Sequence, residues 1–143
     1  MNPKPSFVRK NNIMLTHLLI LLSGLISGFI LFQSAINAPL IFKTLELEHA
    51  RPLLRSIFPV LFKVVAVLAI AMLLVAWFAG VSQVALLLCG LSVLLPTVCA
   101  LLVPATNRAA DEGRQNDFKR LHTVSVVFTL AVLIINLALP FTL

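Results

Sequence analysis

The chain has 143 residues, of which 60% are hydrophobic and only 11% are charged. Soluble domains run at roughly 45–50% apolar and about 25% charged, so this composition excludes an ordinary soluble globular protein and points to the membrane. The net charge of +6 would suggest nucleic acid on a soluble chain, but here the basic residues flank apolar runs. Lipid phosphates and the positive-inside rule account for them, and no nucleic-acid partner is implied.

Length then sets the number of spans. A transmembrane helix uses roughly 20 apolar residues at a rise of about 1.5 Å each, so four spans with short connections exhaust the chain. The expectation is an all-α integral membrane four-helix bundle, one transmembrane domain over residues 1–143.

The N-terminal tail to Asn12 is polar and basic, with Lys4, Arg9 and Lys10. The first helix is expected over about 13–38, a stretch without a charge. It exceeds the roughly 7–15 apolar residues of a signal peptide, and Pro39 directly follows Ala38, a poor cleavage point, so it reads as a retained helix. Residues 39–56 form a charged segment punctuated by Pro39 and Pro52, a loop or a short helix lying in the interface. The second helix is expected over 57–80, with Lys63 in its early turns able to snorkel to headgroups. "GVSQ", Gly80 to Gln83, is a tight uncharged turn. The third helix is expected over 84–104, kinked at Pro96 where a helix hydrogen bond is lost. A second charged loop, 105–117, offers Gly113 as a helix C-cap and Asn116 or Asp117 as the next N-cap. The fourth helix is expected over 118–139, ending at Pro140.

Four spans place both termini on one side. The tail carries Lys4, Arg9 and Lys10, whereas the opposite side holds Lys43, Arg51, Arg55, Lys63, Arg108, Arg114, Lys119 and Arg120. The positive-inside rule therefore favours the two charged segments in the cytoplasm, within the plasma (inner) membrane if the chain is bacterial.

Every span has a small or weakly polar side. On the fourth, His122, Ser125, Thr129 and Asn136 are spaced by three, four and seven and share one face. On the first, Thr16, Ser23, Ser27 and Ser34 do the same, beside the small-xxx-small pair Gly24 and Gly28, which permits close approach of another helix. Ala66, Ala69, Ala76 and Gly80 line up on the second, and Cys89, Ser92, Pro96 and Cys99 on the third. Such faces turn away from lipid; close helix packing is the parsimonious account, and a polar ligand cavity has the same signature. Cys89 and Cys99 are about 15 Å apart along one helix, too far for a disulfide, and read as small buried hydrophobes.

Catalytic and metal-binding patterns are weak. His17 and His122 open spans at opposite faces of a hydrocarbon layer about 30 Å thick and cannot share an ion, while His49 lies on the side of His122. There is no HExxH, CxxC or paired-histidine spacing, so no metal or cofactor is implied. Asp117 and His122 lie five residues apart, on faces differing by about 140°, which disfavours an acid–base pair. Phe42, Phe58, Phe62 and Phe118 fall near the loop-side interface, either as an aromatic belt or as a hydrophobic lid around Asn107, Asp117 and His122.

The segments "THLLILLSGLISGFILFQSAINAPLIFKTL", "RSIFPVLFK" and "NDFKRLHTVS" give the chain a family resemblance. It resembles the small membrane family typified by transmembrane protein 205, at His17, Ser23, Gly24, Pro39, Phe42, Phe58, Pro59, Phe62, Phe118, His122 and Ser125. That resemblance implies a four-span membrane domain without an established biochemical activity. A weaker resemblance, through "LLSGLISGF" and "VPATN", runs to anthrone-oxygenase-like membrane proteins.

The leading functional expectation is a non-enzymatic integral membrane protein. It would bind a small or amphiphilic ligand through His122, Ser125, Thr129, Asn136, Asn107 and Asp117, or a membrane partner or second copy through Gly24, Gly28, Ser23 and Ser27. The alternative is a cofactor-dependent membrane oxidoreductase or oxygenase using His122.

Overall fold

The fold is seen in a computed structural model that describes the backbone of residues 6–143 and side chains from Asn12 onward. Lys4 and the side chains of Arg9 and Lys10 lie outside the described residues. Helix α1 runs over Ser6–Leu31, passes through a π-helical turn at Phe32–Asn37, and continues as α2, Ala38–Thr44. Helices α3 (Leu47–Ala79), α4 (Gln83–Asp111) and α5 (Gln115–Ala138) follow, and a 3-10 turn closes the chain at Leu139–Thr142. No strand occurs among the described residues. Four of these helical segments are long and apolar enough to cross a membrane: Asn12–Thr44, Leu47–Ala79, Gln83–Asp111 and Gln115–Thr142. The protein is an all-α membrane four-helix bundle.

The helices reach further than charge patterning predicts. Segments 39–56 and 105–117 are mostly helical, and the first is broken only around Leu45 and Glu46, whose backbones are extended. Leu, Arg, Glu and Ala are strong helix formers, so leucine-rich charged stretches continue a helix outside the hydrocarbon. The prolines do not stop it either. Pro39 directly follows the π turn at the start of α2, while Pro52 and Pro59 lie inside α3 and Pro96 and Pro104 inside α4.

The turns follow local chemistry. Gly80 ends α3 in the left-handed region at φ 62°, and Ser82 caps α4 by accepting the Ala85 N–H at 3.2 Å. Gly113, at φ 69°, follows α4 in the same way. The N-cap of α5 is Arg114 and not Asn116 or Asp117, which fall within the first turn. Asp117 instead pairs with Arg114, which also holds Glu112.

The helices form an up-down-up-down ring: α1 packs on α3, α3 on α4, α4 on α5, and α5 back on α1. Leu19, Ile26 and Ile30 of α1 meet Val65, Ala69 and Met72 of α3, Ala85 and Cys89 of α4, and Val132 and Leu139 beyond. Most of this contact lies toward the terminal ends. A small second cluster, Ile41 with Ala50 and Leu54, joins α2 to α3 at the loop-side end. There Arg55 of α3 also pairs with Asp111 of α4.

Candidate functional site

The stripe on α5 is graded in depth. His122 is exposed, Ser125 and Thr129 are half-buried, and Asn136 is fully buried. The His122 ring stacks on Phe118 one turn earlier, with centroids 5.6 Å apart and planes within 7°. Thr129 donates its hydroxyl to the Ser125 carbonyl at 2.7 Å, so that group is already satisfied within the helix. The Ser125 carbonyl also faces the Cys99 thiol of α4 at 3.8 Å.

Asn136 forms the deepest polar node. Its Nδ2 donates to Ser92 Oγ at 3.0 Å and to the Val132 carbonyl at 2.8 Å, tying α5 to α4. Its Oδ1 is buried without a donor. Four residues beyond Ser92 stands Pro96, which has no N–H to offer the Ser92 carbonyl, so the polarity concentrates where the α4 ladder is already interrupted. Cys89, Ser92, Pro96 and Cys99 are all buried, and both thiols are free.

At the centre of the ring lies a void of about 10 Å³ between Ile30, Val65, Pro96, Cys99, Thr129 and Val132. That is the lower limit for one water molecule. Of the stripe residues, Thr129 lines this void.

On α1, Ser23 and Ser27 face inward. Ser23 donates to the Ile20 carbonyl at 2.9 Å, and the Ser27 hydroxyl is buried without a partner. Gly24 and Gly28 are exposed, and a Cβ added to either would meet nothing within 4 Å. No other helix packs closely on them among the described residues. Ser34 is exposed, and the π turn instead buries its neighbour Gln33, whose Oε1 accepts from Asn37 Nδ2 at 2.7 Å while its Nε2 finds no acceptor. Sequence reading missed Gln33, because a π turn has no simple residue signature.

The loop-side residues are divided. Asp117 lines a groove between α4 and α5 with Arg114 and Arg120, and His122, about 140° away around the helix, is not among its lining residues. Asn107 is half-buried on α4 and lines neither the central void nor the groove beside Asp117. Phe58 and Phe62 of α3 pair with centroids 6.2 Å apart, and Phe62 is buried at the central void, so it belongs to the core and not to a lid. Among the described residues, no group of three or more His, Cys, Asp or Glu side chains could hold a metal ion.

Residues 21–115 match the family described as Domain of unknown function (DUF4149). The chain belongs to this family. The matched region runs from within α1 through the first residue of α5, so it includes most of the first span, all of the second and third, and most of the charged segments. The match names no activity and does not itself connect the chain to transmembrane protein 205 or to anthrone-oxygenase-like proteins. No curated protein and no solved structure matches.

Proposed function

We propose that this protein is a non-enzymatic membrane module that binds an amphiphile sideways, in the cleft between the loop-side halves of α1–α2 and α5. One observation carries this reading. No Cα of Phe32–Thr44 lies within 8 Å of a Cα in α5, whereas α1 below Phe32 packs against it. The buried residues of α5 are accordingly confined to its terminal half, at Val132 and Asn136.

The chemistry along this cleft favours a ligand with a polar head and an apolar tail. At its mouth stands the exposed His122, with Ser125 one turn deeper. Ile30, Thr129 and Val132 close its inner end around the central void. From His122 to Val132 the helix rises about 15 Å, passing from titratable through hydroxyl to hydrocarbon side chains. A helix face that presents hydroxyls and a histidine to lipid is disfavoured unless something polar meets it. In this reading the charged segments lie in the cytoplasm and the termini outside.

The test is photolabelling of purified protein in mild detergent with diazirine-bearing palmitate. Labelling should concentrate on residues 118–132 and 30–41, compete with unlabelled palmitate, and fall severalfold when Ser125→Trp fills the cleft. Labels spread evenly around the bundle and indifferent to Ser125→Trp would mark ordinary annular lipid and overturn the proposal.

A further inference from the structure

The opposite side of α5 carries a feature that the polar stripe does not touch. Arg120 and His122 are two residues apart and so fall about 160° from each other around the helix. Ala105 and Arg108 of α4, Arg114 of the turn, and Asp117, Arg120 and Leu121 of α5 line an open groove of about 270 Å³ at the loop-side end.

The ion pairs leave this groove cationic. Arg114 is held by Glu112 and by Asp117, whose carboxylates raise its pKa above the usual value, Glu112 foremost. Asp111 is engaged by Arg55 across to α3. All three carboxylates near the groove are thereby occupied. Arg108 and Arg120 have no carboxylate within 4.0 Å among the described residues. No side chain caps the N-terminus of α5 beside them. Two unpaired guanidiniums, each able to grip an oxyanion with a two-pronged donor fork, face one concavity.

The same helix strips turn apolar as they descend. Leu101 lies one turn below Ala105 on α4 and is 74% exposed. Val124 and Val127 continue the strip of Asp117 and Arg120 on α5, and both are exposed. A phosphate site directly above an exposed hydrocarbon strip has the layout of a phospholipid, whereas a free anion would have no use for the strip.

We propose that this groove binds an anionic phospholipid, its phosphate held by Arg108 and Arg120 and its acyl chains laid along Leu101, Val124 and Val127. The site is independent of the α1–α5 cleft, so either can fail without the other.

The experiment titrates phosphatidylglycerol, phosphatidylcholine and inorganic phosphate separately into the full chain in neutral detergent and follows the thermal unfolding midpoint. Phosphatidylglycerol should raise the midpoint saturably, and the other two should not. The pair Arg108→Gln with Arg120→Gln should weaken phosphatidylglycerol affinity, by roughly fivefold for each arginine removed. The pair Lys43→Gln with Arg51→Gln, which removes equal charge from the other charged segment, should leave it unchanged. If the first pair does not fold, Arg108→Lys and Arg120→Lys keep the charge without the fork and should still weaken binding. Equal loss in the control pair means diffuse attraction, and an equal response to phosphatidylcholine means unspecific lipid. Stabilisation by inorganic phosphate alone means a free-anion site. Full affinity in the lysine variants means no two-pronged grip. Each of these results overturns the proposal.

Discussion

Asn136→Leu should leave the bundle as stable as it is now, or slightly more so. Asn136 is 1% exposed and gives α5 its side-chain hydrogen bond to α4. Interhelical hydrogen bonds of this kind average about 0.6 kcal/mol in membrane proteins and reach about 1.7 kcal/mol. Against that gain stands the buried Oδ1 with no donor, a penalty of about 1–3 kcal/mol. Leucine keeps the branched outline, removes the orphaned oxygen and loses the bonds to Ser92 and to the Val132 carbonyl, the latter of which still accepts within the α5 ladder, so the terms offset, with a net of about 0–2 kcal/mol in favour of the variant before any repacking strain. Ser92 loses a donor but can still turn its hydroxyl to its own helix backbone. The assay is reversible unfolding in mixed micelles by added dodecyl sulfate, followed by helical circular dichroism, on a cycle of wild type, Asn136→Leu, Ser92→Ala and the double variant. The coupling between the two sites should be near 0.6 kcal/mol, by about a factor of two either way. Zero coupling would refute the Asn136–Ser92 bond. A loss above about 3 kcal/mol in Asn136→Leu alone would show that Oδ1 is satisfied and that the ledger is wrong.

Gly80→Ala should destabilise by about 1–2 kcal/mol in the same assay, because the left-handed φ of 62° and not crowding is the obstacle there. Gly28→Leu should change stability by no more than about 0.5 kcal/mol, since its face is open; loss of a crosslinked oligomer in that variant would identify the Gly24–Gly28 face as a contact between copies. Arg55→Gln should cost less than about 1 kcal/mol and its effect should shrink in high salt, as the Arg55–Asp111 pair is substantially exposed. For orientation, cysteines placed at Ser82 and Gln115 should react from opposite sides with an impermeant maleimide, Gln115→Cys only after the membrane is opened if the charged segments face the cytoplasm.

Much of the fold is legible in the residues because the bilayer is a simple solvent. Apolar runs of span length announce four helices, and "GVSQ" announces its turn through Gly80 and Ser82. The small, sulfur and proline face of Cys89, Ser92, Pro96 and Cys99 is buried throughout, as its spacing implies. What escapes the sequence depends on relations between helices. Gln33 looks like a polar residue to be kept outside, yet the π turn buries it. Asp117 and His122 are near in sequence but serve different sides of α5, and only the packing of α4 against one of them reveals which. The groove between α4 and α5 is lined by Arg108 and Arg120 from two different helices, and charge counting along the chain cannot distinguish that from a solvated tail. Whether the charged segments are loop or helix is not legible, because charge reports distance from hydrocarbon, not backbone conformation.

The length of α3 has a further consequence. Its uncharged and nearly uncharged portion, 57–79, rises about 34 Å and fills a hydrocarbon layer of about 30 Å with little tilt. The ten residues before it add about 15 Å, more than the roughly 5–8 Å of headgroup on one face of a bilayer. With α3 close to the bilayer normal, its start, where the Ala50–Ile41 cluster braces it against α2, would stand proud of the lipid as a short helical turret. Thinning or thickening the membrane would sink or raise that turret, making its exposure to water a gauge of bilayer thickness.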